Sequence, residues 1–307
     1  MPRNTINVNS IKLLLSFICL LTVTTIRSQV FESLRNDSAY TVVNKSIQET
    51  SLFTHQQWET SEADIIKYTD SQPAFGVYKD NLFLTGFPLN KSINKQTADV
   101  FLQISIRQRL TRSRLPFSSF LYLTYTQKSF WNLYAESAPF KDNNYNPGIG
   151  IGRYIIHDNK LYGVMCLQLE HESNGKDGPA SRSWNMISIS AKYFINYRLS
   201  VSGKLWLPYV DGDENKDLLT YRGLGYFSVE YLSRNQRWWI TAEVSPRKKV
   251  LNINTTLTAA YQISRNNNLY LYARFFEGTG ESLLEFNKYT INTRFGICIK
   301  PDFSSIF

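Results

Sequence analysis

The chain has 307 residues, of which 43% are hydrophobic and 14% aromatic, and its formal net charge is +9. This length suits one large domain or two small ones. Basic residues do not cluster with aromatic ones, so we expect no nucleic-acid partner. The positive charge permits contact with anionic lipid without requiring it. Beyond residue 28 the cysteines Cys166 and Cys298 lack metal-ligand spacing, which indicates packing residues or one adventitious pair.

Two segments precede the regular part of the sequence. Residues 1–28 have the features of a secretory signal, with basic residues before an apolar run, and we expect cleavage near Ser28. This segment contains three basic and no acidic residues, so the rest of the chain carries +6. Residues 29–72 are polar and mixed, and we interpret them as an N-terminal periplasmic arm of unknown order. A short amphipathic turn at Ala63–Tyr68 fits within this arm.

From Pro73 onward the sequence consists of segments of about ten residues, most with one apolar and one mixed polar face. Alternation with a period of two predicts strands. Twelve such segments are present: Asn81–Phe87, Ala98–Arg109, Phe120–Leu133, Asn146–Ile156, Lys160–Ser173, Trp184–Phe194, Leu199–Pro208, Arg222–Ser233, Trp238–Val244, Asn252–Ile263, Asn268–Phe276 and Tyr289–Ile299. A soluble sandwich would show the same alternation, so the pattern by itself leaves both folds open.

The links between these segments favour a membrane barrel. Short links such as His157–Asn159 and Ile195–Arg198 alternate with longer ones such as Asn174–Ser183. Alternating link lengths are typical of a barrel with one rim in the periplasm and the other outside. The sequence therefore predicts an all-β fold, a twelve-stranded antiparallel transmembrane β-barrel over residues 73–307. In this topology Asn174–Ser183 lies on the outside.

The hairpin Leu161–Phe194 carries an unusual set of polar residues. His171, Ser173 and Asn185 lie on its apolar stripe, where a nucleophile, a base and an orienting group would share one face. Ser173 and Asn185 flank Pro179 symmetrically, so a symmetric hairpin would bring Asn185 diagonally within reach of His171. The alternative is that the three residues are solvated near the lipid headgroups and have no chemical role.

Four stretches give the sequence a resemblance to a known family. The run H-E-S-N-G-K-D-G-P-A-S-R-S-W-N, His171–Asn185, closely resembles the active-site segment of the outer membrane phospholipase A family. Y-T-Q-K-S-F-W at Tyr125–Trp131, N-Y-N-P at Asn144–Pro147 and G-x-G-E-S-L at Gly278–Leu283 are also similar. The resemblance covers about residues 73–307. It implies a Gram-negative outer-membrane enzyme that hydrolyses acyl esters of phospholipids and lysophospholipids, with its active site towards the outer leaflet.

The resemblance also implies roles for single residues. Ser173 corresponds to the nucleophile, His171 to the base and Asn185 to the orienting amide of a Ser-His-Asn triad. The backbone N–H of Gly175 corresponds to the oxyanion donor. An amide orients the base without adding charge, so it stabilises an imidazolium less than a carboxylate would.

The family uses calcium and acts as a homodimer, and the resemblance assigns residues to both. The calcium ligands correspond to the Ser181 hydroxyl, the Lys176 carbonyl and, from a second subunit, the Ser137 carbonyl. Lys176 replaces a usual arginine, and the loop before Pro139 is shorter than in relatives. Gln127 corresponds to the polar centre of the dimer contact. On an otherwise apolar strand face, an unpaired amide would cost about 1–3 kcal/mol, which a partner could relieve. The alternative is that Gln127 lies at the headgroup level and is solvated.

Two non-enzymatic alternatives follow from the same sequence. The polar strand faces, which include Glu170, Glu172 and Lys192, could line the water of a channel or neutralise one another inside a plugged barrel. A barrel could also keep the motif and only bind lipid. Conductance would favour the channel, whereas esterase activity in detergent would favour the enzyme.

Overall fold

The computed structural model describes residues 61–210, 215–247, 252–264 and 267–302. The predicted signal segment 1–28 and most of the predicted arm therefore lie outside the described residues. Within these ranges, no helix combines the length and the apolar character needed to cross a membrane.

Strands make up most of the described chain. Their bounds are β1 Phe75–Val77, β2 Asn81–Pro88, β3 Asp99–Arg109, β4 Ser119–Trp131, β5 Phe140–His157, β6 Lys160–Ser173, β7 Ser183–Asn196, β8 Leu199–Tyr209, β9 Gly225–Leu232, β10 Trp238–Pro246, β11 Ile253–Gln262, β12 Leu269–Gly278 and β13 Thr290–Ile299. The helices are α1, Glu62–Ser71, and α2, Leu218–Arg222.

The strands close into a barrel. Consecutive strands from β2 to β13 pair antiparallel, and β13 returns to β2. Both β1 and β2 pair with the same edge of β3, so they are two parts of one interrupted strand. The result is a closed twelve-stranded antiparallel barrel, which confirms the predicted fold class. Closure leaves no unpaired strand edge, as a lipid environment requires.

The largest differences between the observed and the predicted strand bounds are at the starts of β5 and β9. β5 begins at Phe140 rather than Asn146, because polar residues before Asn146 bind a loop at the rim. β9 begins at Gly225 because α2 occupies the residues before it. The link at 110–118 lies between the predicted second and third segments, and it contains a single turn of 3-10 helix at Pro116–Ser118.

Alternation in the strands separates a polar interior from an apolar wall. Along β6, Glu170 is 6% exposed, whereas its neighbour Leu169 is 56% exposed. Many large apolar side chains are likewise exposed on the outer face, among them Ile149, Leu167, Ile187, Ile189, Leu205 and Leu207. A soluble sandwich would bury this face, so the apolar-out arrangement decides between the two folds in favour of a membrane barrel.

Helix α1 fills one end of the barrel, where the tight turn between β5 and β6 lies. A capping box of Ser61 and Asp64 starts the helix, and Pro73 follows its C-terminal cap. Its residue Ile65 is fully buried in a cluster of inward-facing side chains: Phe120, Tyr122, Tyr154, Leu161, Val164, Cys166 and Phe194. The predicted turn at Ala63–Tyr68 is thus part of a three-turn helix that packs inside the barrel.

The loop 279–289 covers the opposite end. Leu283 is fully buried there in a cluster with Trp184, Met186, Leu218 and Phe286. Glu281 turns into the barrel and pairs with Arg274 and Arg294. Burial raises the pKa of Glu281, but the two guanidinium groups outweigh this effect and hold the pKa at about 2. A cavity of about 430 Å³, lined by both charged and aromatic side chains, lies between the packed ends.

Arg109 ties α1 to the barrel, and its removal tests the packing of this helix. Its guanidinium donates to the carbonyls of Thr69 at 2.8 Å, Asp70 at 2.8 Å and Gln72 at 3.1 Å. We predict that Arg109→Ala increases hydrogen exchange across 61–72, because the Asp70 and Gln72 carbonyls lose their donor at a cost of about 1–3 kcal/mol each. The exposed Arg112→Ala is the control and should leave exchange unchanged. Equal protection in both variants would show that Arg109 does not hold the helix.

Candidate active site

The register of β6 with β7 positions the candidate catalytic residues. His171 lies directly opposite Asn185, and Ser173 lies opposite Ser183. The expectation of a diagonal contact, which assumed a hairpin symmetric about Pro179, is therefore wrong. The link between the arms is not symmetric about that residue, so Asn185 comes closer to His171 than the sequence indicated.

A hydrogen bond joins the His171 ring to the Asn185 side chain. The distance from His171 Nδ1 to Asn185 Oδ1 is 2.9 Å, and both residues are exposed on the outer wall. An amide oxygen only accepts, so this contact requires a proton on Nδ1. The other nitrogen, Nε2, then has a free lone pair and makes no hydrogen bond to another described residue. The pair thus holds the imidazole in the tautomer that a general base needs.

The carboxylates next to His171 in sequence lie inside the barrel. Glu172 accepts from Trp184 Nε1 at 2.8 Å and pairs with Arg222 at 3.0 Å. Glu170 pairs with Lys204. Successive side chains of a strand point to opposite faces, so both carboxylates point away from the His171 imidazole. The group that remains available to orient the imidazole is the amide of Asn185. These internal pairs favour the predicted neutralisation inside a plugged barrel over a charge-lined channel.

Ser173 projects on the same face as His171, two residues further along β6. Side chains at this spacing are about 7 Å apart at the backbone, so they can converge on one substrate atom. Across the strand pair, Ser173 lies opposite Tyr145, which sequence reasoning did not identify as part of the site. The Tyr145 ring also restricts the size of the residue at position 175, because a Cβ added to Gly175 would lie 3.1 Å from this ring.

Gly175 has the backbone conformation that an exposed N–H donor beside the serine requires. Its φ is +64°, in the left-handed region that favours glycine. Its N–H makes no backbone hydrogen bond to another described residue, so the donor is available to a ligand. This geometry fits the oxyanion role that the resemblance assigned to Gly175.

Asn174, a buried residue that the sequence did not single out, closes the loop 174–182. Its side-chain oxygen accepts from the N–H groups of Lys176 at 3.3 Å and Arg182 at 2.9 Å. Its amide nitrogen donates to the Ala180 carbonyl at 2.9 Å. One side chain thus bridges both sides of the loop and fixes its shape.

The closed loop carries two of the three expected calcium ligands. The Ser181 hydroxyl and the Lys176 carbonyl make no hydrogen bond to a described residue, although other groups of both residues do. Neutral oxygens that are free of protein partners on a fixed loop suit calcium. Ser137, the expected ligand from a second subunit, is exposed on the link between β4 and β5, at a positive φ of 65°. The described residues contain no cluster of three histidine, cysteine or acidic side chains.

Gln127 faces outward but is not an unpaired amide. Its Oε1 accepts from the Tyr125 hydroxyl at 3.0 Å, and its Nε2 donates to Ser129 Oγ at 3.1 Å. These two hydrogen bonds within one barrel remove part of the free-energy cost predicted for an unpaired amide. That cost therefore gives less reason to expect a partner subunit at Gln127. One N–H and one lone pair remain for a contact with a second molecule.

Two of the motifs that carried the resemblance bind each other. Asp142 accepts from Ser282 Oγ at 2.6 Å, and Asn144 Oδ1 accepts from the Leu283 N–H at 3.1 Å. The G-x-G-E-S-L loop is thus anchored to β5, close to the strand position that faces Ser173. These residues support the site structurally and do not enter it.

Comparison with known proteins agrees with this fold and site. A profile of the family described as phospholipase A1 matches residues 52–300. Phospholipase A1 of Salmonella typhimurium is 31% identical over 209 residues, which are 64% of this chain and 68% of the relative. Phospholipase A1 of Escherichia coli is 31% identical over 205 residues, 63% of this chain and 67% of the relative.

Solved structures share the barrel. Outer membrane phospholipase A from Escherichia coli superposes with a TM-score of 0.65 at 25% identity, covering 74% of this chain and 99% of that one. The outer membrane phospholipase of Salmonella typhi, solved as a dimer with bound calcium, gives a TM-score of 0.66 at 24% identity and covers 77% and 94%.

The family match spans most of the chain, and the barrel agrees in strand number and closure. A phospholipase A that hydrolyses phospholipids in the Gram-negative outer membrane accounts for both results. The chain belongs to the outer membrane phospholipase A family.

Proposed function

We propose that this barrel hydrolyses acyl esters of phospholipids and lysophospholipids with a Ser173–His171–Asn185 triad on its lipid-facing wall, with calcium and a second barrel completing the site. The observation that carries the proposal is the hydrogen bond between His171 and Asn185, on the outer face and two residues from Ser173. A polar side chain in contact with the hydrocarbon region costs free energy, so polar residues at such positions usually have a function. The internal ion pairs and packed ends of the barrel weigh against the channel alternative.

The mechanism follows from the tautomer. His171 Nε2 removes the hydroxyl proton of Ser173 while Oγ attacks the ester carbonyl, and the Asn185 oxygen keeps the imidazolium oriented. The Gly175 N–H donates to the oxygen of the tetrahedral intermediate. His171 then returns the proton to the leaving alcohol, which departs as a lysophospholipid or a deacylated glycerophospholipid. Water, deprotonated by the same nitrogen, releases the fatty acid from Ser173.

Calcium would be held by the Ser181 hydroxyl, the Lys176 carbonyl and a Ser137 carbonyl from a second barrel. When bound, it supplies positive charge near the developing oxyanion. All three oxygens are neutral, so one barrel alone offers weak attraction to the ion, and a second barrel raises the coordination. Binding of calcium and dimerisation should strengthen each other by the same factor.

The substrate reaches this site sideways from the bilayer, since the triad is on the wall and not in the lumen. Loop 174–182 is one of the longer links, which we expect on the outside, so the proposal locates the site towards the outer leaflet. A leaflet that normally holds few phospholipids would supply substrate only when its asymmetry is disturbed. The sequence departs from the family at Lys176, where the backbone alone is used, so this change should have little effect.

Replacing single triad residues tests the proposal. We predict that Ser173→Ala abolishes calcium-dependent release of fatty acid from phospholipid micelles, because the attacking oxygen is lost. Asn185→Ala should lose less activity than His171→Ala, since the base survives without its orienting partner. Heat-modifiable migration in detergent gels serves as the folding control. A folded Ser173→Ala barrel with full activity would exclude this residue as the nucleophile.

Removal of the Ser181 hydroxyl tests the metal site. Ser181→Ala should raise the calcium concentration for half-maximal activity by about tenfold, since one of few ligands is lost. Ser183→Ala, at a nearby position outside the proposed ligand set, is the matched control. An unchanged calcium dependence in Ser181→Ala would remove this residue from the metal site.

Gln127 provides a separate test of assembly. We predict that Gln127→Leu weakens calcium-induced dimers and lowers the apparent calcium affinity, while the monomer stays folded because both lost hydrogen bonds are local. Cross-linking and activity are measured against calcium in one detergent, with Leu257→Val on β11 as control. If the protein cross-links no more with calcium than with chelator yet is fully active, one barrel suffices for the chemistry.

A further inference from the structure

A proline interrupts the strand pairing directly beside the candidate base. The backbone pairing of β5 with β6 omits Asn146 and Pro147, yet it resumes at Gly148 in the same register. No extra residue is therefore inserted, and Pro147 lies opposite His171 on the neighbouring strand. A proline has no N–H to donate across a sheet, so the interruption is a direct consequence of this residue.

The carbonyl of His171 points towards the strand that contains this proline. Asn146, which belongs to β5, donates from Nδ2 to this carbonyl oxygen at 3.0 Å. Just beyond the paired arms, the N–H of Asn174 donates to the Arg182 carbonyl on the β7 side at 2.9 Å. The backbone groups of successive residues point alternately to the two neighbouring strands, so a bond from residue 174 towards β7 agrees with a bond from residue 171 towards β5.

This direction of the backbone brings the His171 and Asn185 side chains together. A residue that bonds towards β5 forms a non-hydrogen-bonded pair with the residue opposite it on β7, and side chains are closer in such pairs than in hydrogen-bonded ones. The contact of 2.9 Å between His171 Nδ1 and Asn185 Oδ1 belongs to this pair. A rotation of the His171 backbone would therefore move the imidazole away from the amide that orients it.

The Asn146 side chain takes the place of the donor that Pro147 lacks. Asn146 lines the internal cavity, whereas its neighbour Pro147 is exposed on the outer wall. The Asn146 amide reaches β6 from the side of the lumen and supplies the His171 carbonyl with a hydrogen bond. Backbone groups in a membrane wall have no water to bind, so a carbonyl opposite a proline needs a donor from within the protein.

We propose that Asn146 is a positioning residue for catalysis, which holds the His171 backbone, and with it the imidazole, where Pro147 cannot supply the hydrogen bond of a regular sheet. This inference rests on the proposed role of His171 as the general base. Asn146 acts through His171 and does not touch the substrate, so its loss should lower turnover without weakening substrate binding. A backbone N–H at position 147 would make the Asn146 side chain redundant.

A double-mutant cycle of Asn146 and Pro147 tests whether one donor replaces the other. We expect Asn146→Ala to lower kcat for a phospholipid in mixed micelles with calcium by about tenfold, because a misplaced catalytic group loses rate steeply. KM should stay within about twofold. In a Pro147→Ala background, where the backbone N–H is restored, Asn146→Ala should change kcat by less than about twofold.

Two further variants serve as controls for this cycle. Asn146→Asp keeps the size of the side chain and removes the amide donor, so it should lower kcat as Asn146→Ala does while Pro147 is present. Thr241→Ala removes another half-buried polar side chain that lines the cavity, on β10, and should leave kcat unchanged. All rates are expressed per folded barrel, as measured by heat-modifiable migration in detergent gels.

The outcomes separate this inference from the proposed function. If the unmodified barrel releases no fatty acid, or if His171→Ala keeps full activity, the proposed function itself fails. If Asn146→Ala and Asn146→Asp leave kcat unchanged, or if Asn146→Ala lowers it equally with either residue at position 147, the positioning role is overturned. A change confined to KM, or a loss confined to the folded fraction, would make Asn146 a binding or a purely structural residue and also overturns it.

Discussion

The register between β6 and β7 is the constraint on which the site depends. A shift by one residue would turn His171 into the lumen and bring Glu172 to the lipid. The apolar wall fixes this register, because Leu167, Leu169 and the facing isoleucines must remain outside. The interior fixes it independently, since Glu172 is held by Trp184 and Arg222. Membrane burial and internal ion pairing therefore select the same arrangement, and the His171–Asn185 contact is its consequence.

Two packed ends distinguish this barrel from an open channel. Helix α1 fills the end at which the shortest turns lie, and Arg109 holds it there through backbone carbonyls. At the other end, loop 279–289 buries Leu283 and pairs Glu281 with two arginines. The packed ends hold the strands of the barrel in place. Catalytic side chains on the wall need such support, because their geometry must be precise. The chemistry can then lie entirely on the outer face.

The period of two and the link lengths were sufficient to predict the twelve strands, the barrel and the outward direction of His171, Ser173 and Asn185. Their roles came from the resemblance of one fifteen-residue run. The sequence did not give the direct pairing of His171 with Asn185, because the link between the two arms is not symmetric about Pro179 and is closed by the buried side chain of Asn174. It also did not reveal that Gln127 is paired along its own strand, or that Ser282 binds Asp142 far away in sequence. Such contacts require the folded chain.

Covalent labelling can show whether an activated serine faces lipid on the outer wall. A fluorophosphonate probe with a long alkyl chain reacts with a serine only where a base activates it. The expected result is one adduct per barrel in the presence of calcium, located by peptide mass spectrometry on Ser173 and lost in His171→Ala. An adduct on another residue, or labelling of Ser173 that is unaffected by His171→Ala, would contradict it.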